Sequence, residues 1–95
     1  MEQLIITRHA TLVEFLKREG LVNSDAKHIA HATKEDVKGK HVFGILPLWL
    51  ACHAEKMTEV QLRLPAEKRG SELTVDEIEF YYVNPKTYVI REVKE

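Results

Sequence analysis

The sequence predicts an α/β domain built on a small Rossmann-like open sheet, mostly parallel, with helices on both faces. Three observations predict it. Short apolar runs alternate with helical patterns along the chain, as parallel βαβ units require. Two of those runs, Leu4-Ile5-Ile6 and Val42-Phe43, are apolar at consecutive positions, as strands buried on both faces are. Turn and cap residues punctuate the runs at Gly20, Pro47 and Thr74. A chain of 95 residues has room for one core, so the domain is read as 1–95. The two doubly buried strands belong at the centre, giving a strand order near 2-1-3-4.

The elements follow in chain order. QLIIT, 3–7, is the first strand. A helix follows, with Thr11 and Glu14 at capping-box spacing. Leu12, Phe15 and Leu16 make its apolar stripe, and Glu14, Lys17 and Arg18 point away from it. Gly20 ends the helix as a left-handed residue and folds Leu21 back on Leu16. KHIAHA, 27–32, is a weaker strand nearer an edge. TKEDVKGK, 33–40, is a polar turn with room for one helical turn. HVFGIL, 41–46, is the second buried strand. Pro47 opens the helix PLWLACHAEKM, where its missing N–H costs nothing. EVQLRL, 59–64, alternates as a half-exposed strand does. LPAEKRGSEL, 64–73, is a loop. Thr74 and Glu77 form a second capping box, with Leu73 and Ile78 at hydrophobic-staple positions. Asn84-Pro85 breaks this short third helix, and TYVIREV, 87–93, reads as a last strand; the alternative is a hairpin, EFYYV–NPKT–YVIREV. One tension remains at 33–40. A parallel crossover normally takes about a dozen residues or more, so this link is either unusually compact or joins an antiparallel pair.

Composition narrows the function. Fourteen Lys and Arg against fifteen Asp and Glu leave a net charge of −1, which argues against binding long nucleic acid. A small anion held by a few local cations remains compatible. The single cysteine, Cys52, excludes an intrachain disulfide and suits a reducing cytoplasm. The N-terminus enters a strand pattern directly, so no signal peptide is expected. The apolar run Val42–Cys52 contains Pro47 and falls short of the roughly 20 residues a membrane helix needs. A cytoplasmic protein is expected.

The chemistry concentrates at strand ends. In open α/β sheets ligands bind at the carboxyl ends of the strands, near the point where strand order reverses. The first strand ends in Thr7-Arg8-His9, the second buried strand in Gly44-Ile45-Leu46-Pro47. Both run into helices whose free N–H groups favour an anion such as phosphate. Arg8 adds a guanidinium fork, His9 an imidazole able to take or give a proton, and Gly44 a place where a ligand approaches the backbone. Spacing alone equally allows Arg8 to pair with a nearby carboxylate. The loop adds Arg69-Gly70, with Glu72 able to orient Arg69 or serve as an acid or base; a shaped surface turn, with Glu72 complementing a helix dipole, explains the same residues. His28 and His31 face opposite sides of their strand. His41, beside lysines, reads as solvated, and His53 does not converge with Cys52. No cluster has zinc spacing and no P-loop is present, so no metal and no cofactor are expected.

Three motifs in register carry a resemblance. TRH (7–9), GILPLWLA (44–51) and LRLPAEKRGSEL (62–73) resemble a small CRISPR-associated accessory family of type III systems, the Csx-type family numbered sixteen in its series. The resemblance covers roughly residues 3–80; Ala10-Thr11 stand where the family usually has a glycine-like residue. It implies a ring nuclease that binds cyclic oligoadenylate, in particular cyclic tetraadenylate, and degrades it without a metal; the alternatives are a noncatalytic protein that sequesters the same messenger and a protein–protein module whose surface is the helix containing Trp49. It also implies a homodimer holding the symmetric ligand across its two-fold axis. On this reading Arg8, His9 and Arg69 are catalytic. Thr7, Gly44, Leu46, Pro47, Gly70 and Glu72 contact the ligand.

Overall fold

The computed structural model describes residues 1–94; Glu95, the last residue of the predicted domain, lies outside the described residues. The chain runs β1 (Gln3–Ile6), α1 (Ala10–Arg18), β2 (Lys27–Ile29), α2 (Lys34–Val37), β3 (His41–Gly44), α3 (Leu48–Ala51) and β4 (Lys56–Leu62). A single 3₁₀ turn (Ala66–Lys68), α4 (Val75–Tyr81) and β5 (Tyr82–Tyr88) complete it. The sheet order is β2-β1-β3-β4-β5. Its first four strands are parallel and take the predicted 2-1-3-4 order. The link from β2 to β3 is therefore a compact crossover over α2, and the antiparallel option is excluded.

The consecutive apolar residues of β1 serve two cores. Ile5 packs with Phe43 and Val60 under Leu12, Phe15 and Leu16 of α1 and Ile78 of α4. Leu4, Ile6 and Val42 face the other way, against Val37 of α2 and Leu50 of α3. Alternation along the strand thus sends neighbours to opposite helical layers. Central burial is why β1 and β3 lack the polar alternation of β4. β2, three residues at the edge, is mostly exposed.

Helix α1 ends as its glycine dictates. Gly20 takes φ +72°, the Gly20 amide donates to Lys17 O at 3.2 Å, and the Leu21 amide donates to Leu16 O at 3.0 Å. This is the paired arrangement of a Schellman ending, and Leu21 packs on the core that holds Leu16. The second capping box is also present: Thr74 Oγ1 accepts from the Glu77 amide, and Glu77 Oε1 accepts from the Thr74 amide.

Several boundaries differ from expectation. Thr11 does not cap α1. His9 occupies the cap position, and its carbonyl accepts from the Leu12 amide, two residues earlier than the Thr11–Glu14 spacing suggested. Pro47 is the cap residue of α3, not its first helical residue. That helix is a single turn, and β4 begins at Lys56, because the chain turns at Cys52–Glu55 and Ala54 bridges Lys38. The last strand is Tyr82–Tyr88, antiparallel to β4, in place of 87–93 or the alternative hairpin. Asn84-Pro85 lies inside it. The register slips there by one residue, Gln61 facing Val83 while Glu59 faces Lys86. An edge strand with a bulge is where a sheet tolerates proline.

Candidate functional site

The site forms where β1 and β4 end. Beyond Ile6 the Thr7 amide still donates to Ile29 O at 3.1 Å, extending the β1–β2 ladder by one bond. Thr7 Oγ1 then accepts from the His9 amide at 3.2 Å, a short side-chain turn that swings the chain into α1. Arg8 and His9 sit at the outside of this turn and are exposed. A cavity of about 270 Å³ opens beside them. Its apolar floor is Leu12, Leu62, Leu64, Leu73 and Ile78, and its polar rim is Arg8, His9, Thr11, Gly70 and Ser71. A second cavity of about 260 Å³ shares Arg8, His9, Thr11 and Leu73 and is closed by Ala10 and Glu72. The two form one cleft between the α1 turn and the loop before α4.

This placement brings Arg8 and His9 together with Gly70 and Glu72. It does not bring the rest of the predicted set with them. Gly44, Leu46, Pro47 and Arg69 line neither cavity, and Thr7 contributes its hydroxyl to the turn rather than the lining. The cause is the side of the sheet each helix covers. Helix α1 lies over the Ile5–Phe43 face, and α3 lies over the Leu4–Val42 face. The chain leaving β3 therefore turns away from the cleft, and Leu46 packs against the core on that other face.

Gly44 has a structural reason of its own. Its φ is +152°, and a Cβ there would stand 2.5 Å from the Ile6 carbonyl oxygen. The backbone that approaches it closely is β1. Arg69 is exposed, and among the described residues it enters no ion pair. The expected tie from Glu72 to Arg69 is not among the pairs formed. The loop is instead held by Lys68, whose Nζ stands 2.7 Å from Glu77 Oε2.

Sequence reasoning missed two contributors. Ser71 lines the cleft and donates its hydroxyl to the Lys68 carbonyl at 2.6 Å. His28 Nε2 lies 2.7 Å from the Thr7 carbonyl oxygen, so β2 braces the β1 turn. The signal for His28 was the parallel register, which pairs it with Ile5 two residues before Thr7. His41 also differs from expectation. It is half-buried, stacked on Phe43, and its Nε2 is 2.6 Å from Thr58 Oγ1, which in turn is 2.7 Å from Thr87 Oγ1. Burial, then the Lys56 charge, lowers its pKa below the ordinary 6.5. That network lies at the opposite end of β3 from the cleft.

Among the described residues no group of three His, Cys, Asp or Glu side chains is placed to hold a metal, and no helix is long and apolar enough to cross a membrane. What the cleft offers is a guanidinium, an imidazole, hydroxyls and an apolar floor. That list is chemically complementary to a phosphate ester bearing a flat base, with a cation for the one and an apolar floor for the other. No curated protein and no solved structure matches the chain. A family model described as "Putative CRISPR-associated protein (Cas_VVA1548)" matches residues 4–91, past residue 80 where the three-motif resemblance stops, and the chain belongs to that family.

Proposed function

We propose that the protein is a metal-independent ring nuclease that binds and cleaves cyclic oligoadenylate, cyclic tetraadenylate above all, and so switches off type III CRISPR signalling. The observation that carries this reading is the pairing of Arg8 and His9 on one cleft with an apolar floor, in a chain of a CRISPR-associated family. Arg8 holds the scissile phosphate. The ribose 2′-oxygen attacks that phosphorus, the bond to the 5′-oxygen breaks, and a 2′,3′-cyclic phosphate and a 5′-hydroxyl result. The 2′-hydroxyl loses a proton and the leaving oxygen gains one. His9, as one partner in that exchange, contributes general acid or base catalysis. Holding the 2′-oxygen in line supplies the remainder. Arg69, one residue from Gly70, is the second cation when its exposed side chain swings over the cleft.

The ligand's symmetry calls for two copies of the chain. Leu48 and Trp49 of α3 are 72% and 65% exposed, and they flank Ile90 of the C-terminal segment in a groove of about 400 Å³. This groove, whose lining also includes Cys52, His53, Arg91 and Glu92, is the proposed homodimer contact, and a dimer would supply two sets of Arg8 and Arg69 without a basic surface overall. The test is incubation with cyclic tetraadenylate in EDTA, with products separated by chromatography. Linear products ending in 2′,3′-cyclic phosphate are expected. Intact ligand after long incubation with excess protein overturns the nuclease reading, and tight binding without turnover identifies a sequestering protein instead.

A further inference from the structure

The loop that faces Arg8 and His9 has little to hold it. Its 3₁₀ turn, Ala66–Lys68, contains no buried residue. Its backbone bonds are local: the Lys68 amide donates to Pro65 O, the Arg69 amide to Ala66 O and the Ser71 amide to Lys68 O. Gly70 takes φ +81° with open space around it. Two of its side chains reach outside the loop. One is Leu73, stapled to the core beside Ile78. The other is Lys68.

Lys68 reaches Glu77 on the first turn of α4, 2.7 Å from Nζ to Oε2. The same carboxylate accepts the Thr74 amide through Oε1. One side chain therefore caps the helix with one oxygen and ties down the loop with the other. The pair is mutually reinforcing: the bond from Lys68 lowers the Glu77 pKa, and the bond to Glu77 raises that of Lys68. From Lys68 the connection continues toward the cleft, because its carbonyl accepts the Ser71 hydroxyl at 2.6 Å. Ser71 and Gly70 line the cavity opposite Arg8.

We propose that the Lys68–Glu77 pair is a clasp that fixes the Gly70–Ser71 segment as one wall of the Arg8–His9 cleft, making Lys68 and Glu77 positioning residues for the bound cyclic oligoadenylate. The ligand half of this proposal rests on the functional reading above. Neither residue lines the cleft, so both act through Ser71 and Gly70. Pre-ordering the wall spares the ligand the cost of ordering it on binding.

Two measurements on the full chain test it. The first is amide hydrogen exchange of residues 69–72, without ligand. Lys68→Met and Glu77→Gln should both speed exchange there while leaving β1 and β3 unchanged. Glu77→Gln keeps an amide oxygen for the Thr74 N–H, so α4 stays capped. Lys68→Arg keeps the charge and should exchange as the unaltered protein does. Unchanged exchange in both Lys68→Met and Glu77→Gln overturns the clasp, whatever the ligand does.

The second measurement is affinity for cyclic tetraadenylate. Each single variant should lose about fivefold or more, and the double variant no more than the worse single one, as residues acting as a unit behave. Lys68→Arg should recover most of the loss. A looser loop with unchanged affinity overturns the positioning role. If the unaltered protein binds no cyclic oligoadenylate, the functional reading fails together with the ligand half of the proposal, and exchange alone decides the clasp.

Discussion

Gly44→Ala separates two explanations of the same residue. The sequence reading made Gly44 a place for a ligand to approach; the structure puts the Ile6 carbonyl there, 2.5 Å from the new methyl carbon. Two costs follow. A φ of +152° is close to glycine-only territory, and holding alanine there costs about 1–3 kcal/mol. Forcing an extra carbon into a packed site adds about 1–3 kcal/mol. The obstacle is backbone, part of the β1–β3 ladder in which Ile6 pairs with Gly44, so it yields poorly. The combined cost is about 3 kcal/mol or more. A domain of this size has only about 5–15 kcal/mol in all. Thermal unfolding monitored by circular dichroism should then shift down by roughly 12–24 °C, at about 4–8 °C per kcal/mol. Gly20→Ala is the internal comparison. Gly20 also has positive φ, but nothing lies within 4 Å of the added carbon. Its cost is therefore conformational alone, about 1–2 kcal/mol. A Gly44→Ala protein that melts no lower than Gly20→Ala would refute the reasoning, because the β1–β3 approach would then impose no constraint.

Four further predictions concern function, pH and assembly. Arg8→Ala should weaken binding of cyclic tetraadenylate by about 10-fold or more, the loss expected when a charged hydrogen-bond donor is removed; isothermal calorimetry reads it. His9→Ala should bind nearly normally yet cleave about 10²–10⁴-fold more slowly, the usual contribution of a general acid or base; single-turnover kinetics separate the two effects. Burial, then the Lys56 charge, lowers the His41 pKa in the fold, so protonation favours the unfolded chain. Stability should be full above the ordinary imidazole value of 6.5 and fall as pH drops below it, and urea midpoints for His41→Gln should show a flatter decline. If the proposed dimer forms, Leu48→Asp with Trp49→Asp should convert it to monomer in light scattering, and an unaltered protein that is monomeric at high micromolar concentration would overturn the proposed dimer.

The elements that were legible in the sequence are those whose local chemistry and tertiary role agree. Leu4-Ile5-Ile6 announced a doubly buried strand because each side chain has a core waiting on its own face. Gly20 and the Thr74–Glu77 pair announced helix ends because the backbone there leaves few other choices. The misplacements are where tertiary context overrides local signals. Asn84-Pro85 reads as a breaker, yet the edge of the sheet leaves one side of β5 without a ladder to interrupt. Thr11 and Glu14 have cap spacing, yet the Thr7 hydroxyl takes the His9 amide and starts α1 sooner.

The cleft follows the same logic. Arg8 and His9 were legible because a parallel strand must deliver its next residues to the carboxyl edge of the sheet. Which other strand end joins them was not, because it depends on which face each short helix covers. That choice lies in the alternation of residues such as Phe43, packed under α1, and Val42, packed under α3, and not in any motif. Once α1 and α4 share a face, the loop before α4 becomes the opposite wall, and Gly70 and Ser71 acquire a role that Gly44 and Pro47 lose. The polar network of His41, Thr58 and Thr87 meanwhile joins β3, β4 and β5 at the far end of β3. That network ties the three strands at one end of the sheet, while Arg8 and His9 stand exposed at the other, where β1 turns into α1.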